Sequence, residues 1–209
     1  SVDISMTITG ESNQGQSSLL SYASSGHNNE FLIFSNGSDI YLYVDGSNVK
    51  TDIKADDLFD GTEHTLKVSW DNSNGEAKFY VDGNLEDTVT IEAGHVIDEN
   101  GVLMFGQEQD SVGGGLDSNQ IFEGQYHDIS ISTNGVEVAH WNMNSVANGE
   151  VIDSVGEFNL KLVGDAVALG TSMAIDEDTS LTIEASTLLA NDSDVDGDTL
   201  TITNVSATE

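Results

Sequence analysis

Between residues 106 and 120, three carboxylates and four side-chain amides share one glycine-rich segment. The carboxylates are Glu108, Asp110 and Asp117, and Gln107, Gln109 and Gln120 are the amides that converge with them, beside Asn119. No Lys or Arg stands among them. Packed together without a cation, such carboxylates repel, and one of them must keep its proton. A hard divalent cation resolves the conflict, because Ca2+ takes about six to eight oxygens from carboxylates, amides and backbone carbonyls. The run Gly113-Gly114-Gly115 lets the chain fold around an ion. It is not followed by the Lys or helix start that a phosphate cradle needs. The segment therefore reads as a calcium site suited to holding something outside a cell.

Strands must position this segment. Residues 101–105 form a short apolar run that leads directly into it. Val2, Ile4, Met6 and Ile8 alternate, as do Leu66, Val68 and Trp70. Residues 30–34 carry the continuous run Phe-Leu-Ile-Phe, the pattern of a strand buried on both faces. Asp45-Gly46 and Asp82-Gly83 are hairpin signals between such runs. Further strands are expected at 77–81, 88–91, 126–132, 136–143 and 160–163, with Trp70 and Trp141 in the core. No amphipathic helix is evident. Many short strands with frequent turns predict an all-β fold, a two-sheet antiparallel jelly-roll sandwich. The composition changes near Gly170, so a first domain over 1–170 and a second segment over 171–209 are expected. The second is too short to bury a core alone and reads as the opening of another β domain.

The formal net charge is -32, with 37 acidic residues against 5 Lys. Nucleic acids and anionic membranes are held mainly by Lys and Arg, so neither is an expected partner. Self-repulsion strains the compact state, and bound cations relieve it. With no Cys available for a disulfide framework, calcium can act as the staple. No apolar stretch approaches the roughly 20 residues of a membrane span. The expectation is a secreted bacterial protein excised from a longer chain, since no leader precedes the first strand. The five His show no zinc-ligand spacing and read as structural or surface residues.

Several motifs, in order, resemble a known family. Ser21-Tyr22-Ala23 precedes Asn28-Asn29-Glu30-Phe31-Leu32-Ile33-Phe34. The run His64-Thr65-Leu66-Lys67-Val68-Ser69-Trp70 precedes Phe79-Tyr80-Val81-Asp82-Gly83, and Gly106-Gln107-Glu108-Gln109-Asp110 follows. Together they resemble the pentraxin and laminin-G-like branch of the concanavalin-A-like jelly rolls, over roughly the first four-fifths of the chain. The resemblance implies one calcium held by Asn28, Asn29, Glu108, Asp110 and the backbone carbonyl of Gln109. It implies a second that shares Glu108 and Asp110 and adds Asp117 and Gln120. Asn28 stands where the family usually has Asp, Asp117 where it has Glu, and Leu66 replaces a Cys. Phe34 matches a position flanking the ligand pocket, with core packing as the alternative. Residues 138–143, with residues 153–162, resemble the edge strand that often opens laminin-G-like domains, placed last here either by circular permutation or as a closing strand.

The residues beyond Ile175 resemble the start of the cadherin-like repeats of RTX-type bacterial adhesins. Asp192, Asp194, Asp196 and Asp198 alternate around Gly197 as in an EF-hand-type loop. Thr203 replaces the terminal Glu, so an interdomain calcium site is implied instead, with Asp176, Glu177 and Asp178 as partners across the junction. Catalysis is not expected. The jelly-roll hydrolase pattern Glu-x-Asp-x-x-Glu is broken at Gly113, and the carboxylates are better used on a metal. The expected function is calcium-dependent binding of glycans or other oxygen-rich ligands. The bearer would be a bacterial surface adhesin, monomeric within a long multidomain chain. A structural, calcium-rigidified extender or a peptide-binding module of the same adhesin is the alternative.

Overall fold

The computed structural model describes residues 1–163 except 13 and 148. Its larger sheet is built from β1 (Val2–Gly10), β6 (Glu63–Asp71), β7 (Glu76–Val81), β8 (Asn84–Thr90), β10 (Gly124–Thr133), β11 (Val136–Ala147), β12 (Glu150–Asp153) and β13 (Leu160–Lys161). Their order is β13-β12-β11-β10-β1-β6-β7-β8. The smaller sheet holds β2 (Gln16–Ala23), β3 (Phe31–Asn36), β4 (Asp39–Val44), β5 (Ser47–Lys54) and β9 (Val102–Phe105), in the order β5-β4-β3-β2-β9. Every pairing is antiparallel. The fold is a two-sheet jelly-roll sandwich, and all described residues belong to one compact unit.

The apolar alternation closes the sandwich. Ile4, Met6 and Ile8 of β1 and Leu66, Val68 and Trp70 of β6 meet Ile33, Ile40, Leu42 and Val44 of the smaller sheet in one buried cluster. Both Trp residues are buried, as expected. Asp45-Gly46 and Asp82-Gly83 form two-residue hairpin turns, with φ of 51° and 73° in the first and 51° and 80° in the second. Both central residues thus take the left-handed conformation that suits the twist of the flanking strands.

Three strands escape the sequence pattern: β2, β5 and β12. In β2 the sequence does not alternate, because both of its faces are covered. Leu19 and Leu20 enter the core, while Ser18 and Ser21 are buried elsewhere. β5 is an edge strand with exposed Lys50, Asp52 and Lys54, charges that discourage edge-to-edge pairing. Of the residues compared with an edge strand, 138–143 lie inside the sheet in β11, hydrogen-bonded between β10 and β12, while Leu160–Lys161 form β13 at the sheet edge beyond β12.

Asp153 fixes this end of the sheet. Its Oδ1 accepts the backbone N–H groups of His140, Val155 and Gly156 at 2.9, 3.0 and 3.0 Å, and its Oδ2 accepts that of Phe158 at 3.2 Å. Burial alone would raise this carboxyl, but the four amides outweigh it and hold it below the ordinary Asp value. Asp153→Asn should cost about 2–3 kcal/mol of unfolding free energy, read from urea melts at pH 7 with an unchanged slope. The folded pKa is depressed, so this stability is present above the ordinary Asp value. It is lost as pH falls through the folded value.

Candidate functional site

The segment from 106 to 123 leaves the edge strand β9 and folds back over the outer face of the smaller sheet. β9 runs antiparallel to β2, with Val102 opposite Ala23 and Phe105 opposite Leu20. Past Phe105 the chain reverses, and the Gln109 amide donates to the carbonyls of Ser21 at 2.9 Å and Val102 at 2.8 Å. Gln109 Oε1 accepts the N–H of Gly113 at 2.9 Å. The Gln109 side chain is therefore used as a clamp and is fully buried. This covering explains why Ala23, Leu32 and Phe34 are buried without joining the central core cluster.

The clamp carries the loop back toward the Ala23 end of β2, where the connection to β3 begins. Asn28 is exposed and Asn29 half-buried on that connection. Within the loop, Ser111 and Gly114 exchange backbone hydrogen bonds and turn the chain tightly. Gly115 has φ of +69°, and a Cβ there would lie 2.7 Å from Asp110 Cβ. Only glycine lets the loop pass this close to Asp110. Gln107 donates to the carbonyl of Asp117 at 2.9 Å, and Asp117 Oδ1 accepts from Asn119. Beneath the loop, the Tyr126 hydroxyl donates to the Leu19 carbonyl at 2.7 Å, and its ring packs edge-on against Phe105 and Phe122.

The electrostatics converge on Glu108. It is 4% exposed, and burial, with Asp110 and Asp117 nearby, pushes its carboxyl up to about 7. The Tyr43 hydroxyl is raised chiefly by burial, and further by the charges of Tyr41 and Glu108. Seven buried side-chain atoms lack a hydrogen-bond partner among the described residues. Three are hydroxyls of β2 serines and one is Glu30 Oε2. The other three are Asn29 Oδ1, Glu108 Oε2 and Gln120 Oε1, all oxygens of residues in the expected ligand set. A buried acceptor left unpaired costs about 1–3 kcal/mol. Bare oxygens without donors are what a hard cation would satisfy, so the donor set fits a metal.

Phe34 is 6% exposed and lies outside the central core, edge-on to Tyr43 at 6.4 Å between ring centroids. Sheet register places Tyr41 opposite Phe34 and Tyr43 opposite Leu32, on the face the loop partly covers. Tyr41 and Tyr43 were not recognisable as site residues in the sequence. Two residues apart on a strand they share a face, but nothing local says that the face adjoins Glu108. The expected ligands Asp176, Glu177, Asp178, Asp192, Asp194, Asp196 and Asp198 lie outside the described residues.

An antiparallel jelly roll whose outer face carries a loop of carboxylate and amide oxygens is a binding architecture with known relatives. The chain belongs to the pentaxin family, whose model matches residues 5–164. A cadherin-like domain model matches residues 164–209. The chain is 35% identical to serum amyloid P-component of Bos taurus over 113 residues, 54% of this chain and 49% of that protein. It is 33% identical to C-reactive protein of Mesocricetus auratus over 115 residues, 54% of this chain and 50% of that one. It thus spans about half the length of the curated relatives it matches. Among solved structures, the native heptameric SAP-like pentraxin of Limulus polyphemus is 23% identical with a TM-score of 0.54, covering 62% of each chain. A provisional carbohydrate-binding protein of Bacteroides ovatus has a TM-score of 0.56 at 11% identity, covering 76% of this chain and 50% of its own. These two likenesses show the fold. No helix among the described residues is long and apolar enough to cross a membrane.

Proposed function

We propose that residues 1–170 form a calcium-dependent, lectin-like carbohydrate-binding domain. Residues 171–209 would then open a cadherin-like calcium-binding repeat of a secreted bacterial surface adhesin. The observation that carries the reading is the trio of buried, unpartnered oxygens on Asn29, Glu108 and Gln120. Asn28, Asn29, Glu108, Asp110 and the Gln109 carbonyl would hold one calcium. Asp117 and Gln120, with Glu108 and Asp110, would hold a second. Bound calcium supplies coordination positions for vicinal hydroxyls, or for a carboxylate or phosphate, on a surface otherwise too acidic for anions. Beside it, Tyr41 and Tyr43 offer aromatic surface for the apolar part of a sugar, with Phe34 backing Tyr43 from below. Glu108 and Asp110 serve as ligands in this reading, so binding proceeds without catalysis.

Calcium and a proton compete for Glu108. Its carboxyl is raised to about 7, so below that pH calcium must displace a proton. Apparent calcium affinity should fall by about tenfold per pH unit below neutrality and level off above it, measured by calorimetric titration from pH 5 to 8. In calcium-free buffer the sign for folding is opposite. The folded protein holds this proton more tightly than the unfolded chain does, so stability at this residue is greatest at low pH. It declines as pH rises from the ordinary Glu value through about 7.

The test of function is a glycan array in millimolar calcium, repeated with EDTA and with Asp110→Ala. Binding to a defined set of glycans that disappears in both controls supports the lectin. A calcium-stabilised protein that binds no glycan would make this a structural extender in the same chain.

A further inference from the structure

A second cluster lies at the same end of the smaller sheet, built from three separate connections. His27 and Glu30 lie between β2 and β3, Asp45 in the β4–β5 turn, and His95 and Asp98 between β8 and β9. His27 Nδ1 stands 2.9 Å from Asp45 Oδ1 and 3.7 Å from Glu30 Oε2. His95 Nε2 stands 2.7 Å from Glu30 Oε1, and its Nδ1 is 3.5 Å from Asp45 Oδ2. One ligand atom each from Glu30, Asp45 and His95 lie within 4.8 Å of one another, and so do those of His27, Glu30 and Asp98.

Ordinary hydrogen bonding accounts for only part of this arrangement. Glu30 is fully buried, and its Oε1 is served by His95 and by the Asp98 backbone N–H at 2.6 Å. Its Oε2 is buried and has no hydrogen-bond partner, and it points toward His27 at a distance too long for a hydrogen bond. Three carboxylates face two imidazoles, and none of the five Lys forms an ion pair with them. A buried carboxylate oxygen without a donor calls for a cation. The mixed donor set decides which kind. Oxygens alone suit calcium, whereas imidazole nitrogen with carboxylate oxygen suits zinc and its neighbours.

We propose that His27, Glu30, Asp45 and His95, with Asp98 beside them, form a binding site for a zinc-class divalent cation, separate from the calcium loop. The ion would staple three connections that no disulfide can join in this cysteine-free chain. Glu30 directly follows Asn28 and Asn29, so the same ion would also steady that connection.

The test uses the full chain, stripped by chelator and then held in saturating calcium so that the loop of residues 106–120 is occupied. Titration with zinc chloride is expected to show one saturable equivalent beyond calcium. X-ray absorption of the loaded protein should show a nitrogen and oxygen shell carrying the imidazole signature. The double variant His27→Ala/His95→Ala should lose more than about 100-fold in zinc affinity, since even residues that only orient ligands cost about 10–100-fold. Asp45→Asn, at a position with φ of 51° that Asn tolerates, should weaken zinc and leave the turn and the calcium-induced thermal shift intact. No saturable uptake, an oxygen-only shell, or uptake unchanged in the variants would overturn the site. None of these results depends on whether the calcium loop binds a glycan.

Discussion

Glu108→Gln is expected to abolish the stabilising effect of calcium. Extracellular calcium modules bind at about 10⁻⁴–10⁻³ M, so 10 mM calcium should stabilise the native protein by about 1.4–2.7 kcal/mol per ion. For a domain of this size that is a rise in Tm of about 3–10 °C over EDTA. Under the proposed assignment Glu108→Gln removes the carboxylate shared by both ions, and the rise should shrink to near zero. In EDTA at pH 8 the variant should melt above the native protein, because the native chain then buries a charge beside Asp110 and Asp117. The gain should be about 1–3 kcal/mol, limited by the partners the new amide finds. Scanning calorimetry of both proteins in both buffers reads all four values. A full calcium shift retained in Glu108→Gln would remove this residue from the metal site.

Two tryptophan substitutions should separate stability from site geometry. Trp70 and Trp141 are each about 2% exposed or less, so replacing either with Ala should cost about 3–5 kcal/mol. Their neighbours differ. Trp70 donates to the Ile91 carbonyl at 3.1 Å and packs edge-on against Phe31. Trp141 donates to the Phe158 carbonyl at 2.7 Å and packs against Phe105, with 5.6 Å between centroids. Phe105 is the last residue of β9, and the candidate calcium loop begins at the next position. Trp141→Ala frees Phe105 and should weaken calcium binding by roughly tenfold on top of its stability cost, the scale of an outer-shell change. Trp70→Ala should weaken calcium binding less, because Phe31 adjoins only the connection carrying Asn28 and Asn29, whereas Phe105 leads directly into the loop that carries Glu108 and Asp110. Urea melts and calcium titrations below the unfolding transition check the pair. Equal losses of calcium affinity in both variants would mean that the site senses global stability rather than the Phe105 contact.

The candidate metal loop and the fold class were legible in the sequence because their signals are local. Residues 106–120 gather their carboxylates, amides and glycines within one loop, and no distant partner is needed to see the charge conflict they create. The alternation of Val2 to Ile8 and the Asp-Gly turns express the two-residue period and the left-handed turn angles of a β fold. Tertiary structure decided what depends on register and on chain segments far apart. It set Gln109 as a clamp on Ser21, 88 residues away, and so buried β2 on both faces, which erased its alternation. It placed Phe34, which the sequence left open between a pocket-flanking and a core position, on the outer face with Tyr41 and Tyr43, because sheet pairing and not composition fixes which face a side chain takes. It also brought His95 to Glu30 across 65 residues of sequence. No spacing rule reports such a contact, because the only thing joining those two residues is the way the sandwich closes.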